Sequence, residues 1–139
     1  MSESIDLSLE AIQRRQAAER RGQGHGGLTG RQLVASAAAR LKNANRKMRI
    51  AAGRSGARAD RAVQQAKHEA LNAAVQIRIA ERVPADQGYL HHMTIQQIQA
   101  CEAEARKIVA DNDDEAWAAL AVDTHRRVQQ ERTRHSHGG

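Results

Sequence analysis

Phenylalanine is absent from this 139-residue chain, and cysteine, proline, tryptophan and tyrosine occur once each. Each shortage excludes something. A lone Cys101 forbids an internal disulfide and any cysteine-built zinc ribbon, which fits a reducing cytoplasm. With Trp117 and Tyr89 the sole aromatics, there is no row of rings on which nucleic-acid bases could stack. Leu, Ile and Val together number 23, about 17% of the chain, and highly charged sequences below roughly 20% tend to stay unfolded. No 18-residue apolar run is present, and the opening MSESIDLSLEAIQRRQ has acids where a secretion signal needs bases. The expectation is a soluble, cytoplasmic protein without a membrane segment.

What the chain has instead is alanine, arginine and a division of charge. Alanine contributes 27 residues, each burying only a methyl, worth about 0.8 kcal/mol against about 1.5–3 kcal/mol for a large aliphatic. A monomer built this way is short of core, so a homo-oligomer or a partner-stabilised protein is expected. Arginine outnumbers lysine 18 to 4, which suits bidentate contacts to phosphate or carboxylate and also follows from GC-rich coding. Residues 31–67 carry ten Lys/Arg and one acid, whereas residues 81–124 carry nine acids and three bases. Such segregation makes either a polyanion-binding surface or two halves that hold each other.

Apolar residues recur at helical and nowhere at strand spacing, which predicts an all-α fold of about five helices. The first covers about 3–21, with Ile5, Leu9 and Ile12 on one face, and Gly22–Gly27 follows as a flexible linker. The second opens with a Thr29/Gln32 capping box and runs to about Ala52. After Gly53-Arg-Ser-Gly56 the third runs to about Val83. Val34, Ala37, Leu41, Ala44, Met48 and Ala51, then Ala59, Val63, Ala66, Ala70, Ala73, Ile77 and Ala80, form two heptad seams of coiled-coil type. Small seam residues favour a close antiparallel hairpin, with one long self-pairing helix as the alternative and self-association through the seams expected. Thr94/Gln97 and Asn112/Glu115 predict capping boxes for a fourth helix over about 95–110 and a fifth ending in Arg126, Arg127, Arg132 and Arg134. The expected organisation is therefore an N-terminal helix and linker over 1–27 and a helical bundle over 28–134, followed by a disordered tail over 135–139. The bundle divides into a basic hairpin over 29–83 and an acidic hairpin over 94–134.

The candidate functional residues lie on the second helix and just beyond it. Lys42, Arg46 and Arg49 sit at i, i+4, i+7 outside the seam, flanked by Arg40, Lys47 and Arg54, with Arg58 and Arg61 following. A helix so decorated can lie along phosphates or enter a major groove. Zinc-finger, KH, RNA-recognition and basic-zipper motifs are all missing. The adjacent His91 and His92, with Cys101 beyond, match no metal-ligand spacing and read as loop contacts. Phosphate-loop, dinucleotide-fold and nucleophile-elbow motifs are absent, so neither an enzyme nor a cofactor is expected. The reading that follows is a basic helical nucleic-acid-binding accessory or regulatory protein that prefers duplex DNA to single strands. Its rival is an assembly or adaptor protein whose charges meet an acidic protein surface.

Overall fold

The computed structural model describes residues 26–137, so the expected first helix, the linker glycines before Gly26 and the last two residues lie outside the described residues. Four α-helices are found there: α1 (Gly30–Ala52), α2 (Ala57–Ala80), α3 (Ile95–Ile108) and α4 (Asp114–His137), with a short 3-10 turn at Tyr89–His91. No strand forms among the described residues, where only an isolated bridge joins Thr29 to Gly88.

The hairpin alternative is the one realised. Gly53 to Gly56 turn the chain, Gly56 taking φ +87°, and α2 returns antiparallel along α1. Seam residues meet within the chain: Ala44, Ala66 and Ala70 form a cluster of their own, each at most 6% exposed. Met48 departs from the expected seam and is 48% exposed, while Leu33, outside that seam, is fully buried. A straight helix drifts by roughly 20° per heptad from a 3.5-residue repeat, so a seam read in heptads slides off the contact line over six turns.

Every residue from Leu71 to Ala80 is buried, including Asn72, Gln76 and Arg78. The second half of α2 is thus the axis of the molecule: α1, α3 and α4 all pack on it, and α3 and α4 touch each other only sparsely. The expected acidic hairpin is in fact two helices laid separately on α2, with Ile98, Cys101, Ala105, Leu120 and Val128 meeting Ile77 and Ile79 in one core. Full burial of each isoleucine contributes about 1.5–3 kcal/mol, which offsets part of the alanine deficit.

Local signals acted as their chemistry requires in two of three caps. Thr29 and Thr94 each accept from the backbone N–H three residues on, and Gln32 and Gln97 reciprocate. The third box is displaced. Asp113 caps α4 by accepting the Ala116 N–H at 2.8 Å, whereas Asn112 takes a left-handed φ of 55° and its Oδ1 accepts from Trp117 Nε1 and Lys67 Nζ. A carboxylate at that helix end also meets the positive end of the dipole.

Of the expected linker and tail, only Gly26–Gly27 and residues 135–137 are described. Gly26 and Gly27, the end of the expected linker, are pinned: Leu90 N–H donates to Gly26 O and Tyr89 N–H to Leu28 O. A Cβ on Gly27, whose φ is +81°, would lie 2.6 Å from the Tyr89 ring, so that position needs glycine on both counts. The tail expected to be disordered from residue 135 instead continues α4 to His137, because Arg134 Nη2 reaches Ala80 O at 3.3 Å and the His135 side chain is only 8% exposed.

Candidate nucleic-acid interface

The outward face of α1 begins with what the seam leaves free. Positions 35, 38, 42, 46 and 49 follow one helical stripe, and the structure makes that stripe one wall of a groove of about 560 Å³. Lys42, Arg46 and Arg49 line it, Ala35, Ala38 and Ala39 give a small apolar floor, and Arg132 of α4 closes the other side. At 1.5 Å rise per residue the three α1 cations span roughly 10 Å. Arg46 Nη2 is steadied by Asn43 Oδ1 at 2.8 Å.

The other sequence candidates are placed differently. Arg40 turns toward α2 and pairs with Glu69 at 2.9 Å, sharing that carboxylate with Asn43 Nδ2. Lys47 likewise crosses the hairpin to Gln65 Oε1 at 2.9 Å. Both tie the hairpin together and do not line the groove. Arg54, Arg58 and Arg61 are exposed around the hairpin closure, apart from the groove. Of the eight expected contact residues, the structure therefore gathers three.

The acidic half does not cover this face. Three of its carboxylates go to buried or half-buried arginines of the bundle: Glu104 and Asp123 to Arg78, at 2.7 and 3.3 Å, and Glu81 and Asp123 to Arg127, at 2.7 and 2.8 Å. The Arg78 side chain is 2% exposed and its Nη1 also donates to Ala74 O. Among the described residues, Lys42, Arg46, Arg49, Arg54, Arg58 and Arg61 meet no carboxylate.

Burial pushes the Asp123 carboxyl upward, but hydrogen bonds from Arg126 and Arg127 outweigh it and hold the group below the ordinary aspartate value. Burial raises the Cys101 thiol, which favours the unreactive protonated form. His92 Nε2 bonds Gln87 Oε1 and His91 sits against Gly26, both as loop contacts. No three His, Cys, Asp or Glu side chains come together as a metal cluster among the described residues. No described helix is long and apolar enough to cross a membrane.

Sequence reasoning missed Arg132, and the only signal for it was its place in the arginine-rich end of the last helix. Nothing local says that this end folds back along α1. Comparisons of the chain with protein-family models, with curated proteins and with solved structures find no match.

Proposed function

We propose that the protein is a small helical nucleic-acid-binding accessory protein that acts by binding rather than catalysis, holding duplex phosphates along the α1–α4 groove. One observation carries this reading: Lys42, Arg46, Arg49 and Arg132 converge on a groove whose cations have no carboxylate partner among the described residues. Unmatched guanidinium groups are weakly hydrated and fork-shaped, and they gain most from phosphate oxygens. The scarcity of aromatics favours a duplex over stacked single strands.

Salt dependence of duplex binding tests it. The logarithm of affinity should fall linearly with the logarithm of salt, by about 0.9 per phosphate contacted, and replacing Lys42, Arg46 and Arg49 together by Glu should flatten the slope by roughly three. Binding to all sequences should weaken alike. A protein with no measurable duplex binding at about 50 mM salt overturns the reading.

The groove floor favours one other occupant. Ala35, Ala38 and Ala39 would let a helix backbone approach closely, and an acidic amphipathic helix from a second copy or another protein would answer the cations. In that case the same triple replacement changes the mass measured in solution and leaves duplex affinity where it was.

A further inference from the structure

Beyond the groove, where the start of α1 meets the end of α4, lies a second cleft of about 540 Å³ lined by Arg31, Val34, Ala35, Arg132, His135 and Ser136. We propose that this cleft is an oxyanion site, taking a phosphate-like group between Arg31 and Arg132, and that His135 takes up a proton as the anion arrives.

Charge and hydrogen bonding point the same way. His135 is more than nine-tenths buried at its side chain, yet its Nε2 has no hydrogen-bond partner among the described residues. The nearest carboxylate oxygen, Glu131 Oε1, is 3.8 Å away, too far for a hydrogen bond. That oxygen is already held by Arg134, through Nε at 2.7 Å and Nη2 at 2.5 Å, so the Glu131 charge is matched locally. Arg31 and Arg132 are both exposed and meet no carboxylate among the described residues, which leaves the cleft two positive charges in excess. Ser136 places a hydroxyl on the same wall.

The groups that face His135 are Arg31 on α1 and Glu131, Arg132 and Arg134 on α4, while the loop that accepts the Arg31 N–H at Ala85 adds the exposed Asp86. Burial first, then Arg134, and Arg31 after them hold the imidazole below its ordinary value, and Glu131 alone opposes. The ring is therefore neutral near pH 7. Burial and Arg134 stay in place when an oxyanion sits between the two arginines, but its charge opposes the Arg31 contribution and favours the imidazolium, so the bound state has the higher histidine pKa. Linkage fixes the sign: anion affinity rises as pH falls from the bound-state value toward the free-state value, by at most one decade per pH unit for one proton. The cleft shares Ala35 and Arg132 with the neighbouring groove, whereas Arg31 and His135 belong to the cleft and Lys42, Arg46 and Arg49 to the groove, so the two can be tested apart.

Sulfate is the probe, because it keeps two charges throughout pH 5–8 and any pH dependence must come from the protein. Calorimetric or NMR titration at constant ionic strength, with chloride as the control, should show saturable binding that tightens toward acid. Arg132→Gln should weaken it about tenfold or more, the worth of one charge-assisted pair. His135→Gln should still bind, with the pH dependence gone. Absence of saturable binding over chloride, affinity in the unaltered protein that ignores pH, or indifference to Arg132→Gln overturns the proposal. The Lys42/Arg46/Arg49 triple replacement separates the two readings, since it should weaken duplex binding and leave sulfate binding intact. Displacement of sulfate by a short duplex would assign the site to nucleic-acid phosphates, and its persistence alongside duplex would assign it to a free anion; both results require the site.

Discussion

Arg78 should be the most costly polar side chain to shorten, and the cost should depend on what replaces its stem rather than on its charge alone. The guanidinium makes three bonds, to Glu104, Ala74 O and Asp123, at 2.7, 3.0 and 3.3 Å, from a side chain 2% exposed. Removing a buried ion usually strands its partner, at about 3–5 kcal/mol. Here the partners are not stranded: Glu104 is 51% exposed and rehydrates, and Asp123 keeps Arg126 and Arg127. Arg78→Met, which retains an apolar stem, should therefore cost only the bonds, about 1–3 kcal/mol after screening at the exposed carboxylate. Arg78→Ala also forfeits two buried methylenes, about 0.8 kcal/mol each, and leaves a cavity, for about 3–5 kcal/mol in all. Thermal unfolding should read these as losses of roughly 4 °C per kcal/mol, with urea midpoints ranking the variants alike. Equal costs for Met and Ala would show that charge, not packing, sets the value. If both fell within about 0.5 kcal/mol of the unaltered protein, Arg78 would be a surface residue and the central position of α2 would be wrong.

Two further predictions test the hairpin and its electrostatics. Ala66→Glu and Ala70→Glu place a carboxylate in a seam at most 6% exposed and should each lower the melting temperature by many degrees; unchanged melting would mean those positions face water. Asp123 is held below the ordinary aspartate value, so it contributes stability that is present above about pH 4 and is lost as pH falls through its folded value. Asp123→Asn should make acid unfolding shallower between about pH 4 and pH 2, and an unaltered acid limb in that variant would refute the assignment.

Legibility followed the range of the interaction. Helix type, the caps at Thr29 and Thr94 and the turn at Gly53–Gly56 are decided within four residues, and the sequence shows them directly. The partner of the α1–α2 seam was readable because two neighbouring seams with a short connection have one easy way to meet. The burial of α2 on all sides was not, because Asn72, Gln76 and Arg78 look like solvent positions until α3 and α4 cover them with Glu104 and Asp123 in place to answer the arginine. The same long-range fact decides the candidate site. Whether Lys42, Arg46 and Arg49 are neutralised depends on where the acidic half sends its carboxylates, and charge counting cannot say which acid meets which base. Geometry does: a buried arginine has far more to lose from an unmatched charge than an exposed one, so packing assigns the carboxylates to Arg78 and Arg127 first. Which cations remain unmatched at the surface is then partly an outcome of the core, since Glu104 and Asp123 are drawn to Arg78, and Asp123 and Glu81 to Arg127.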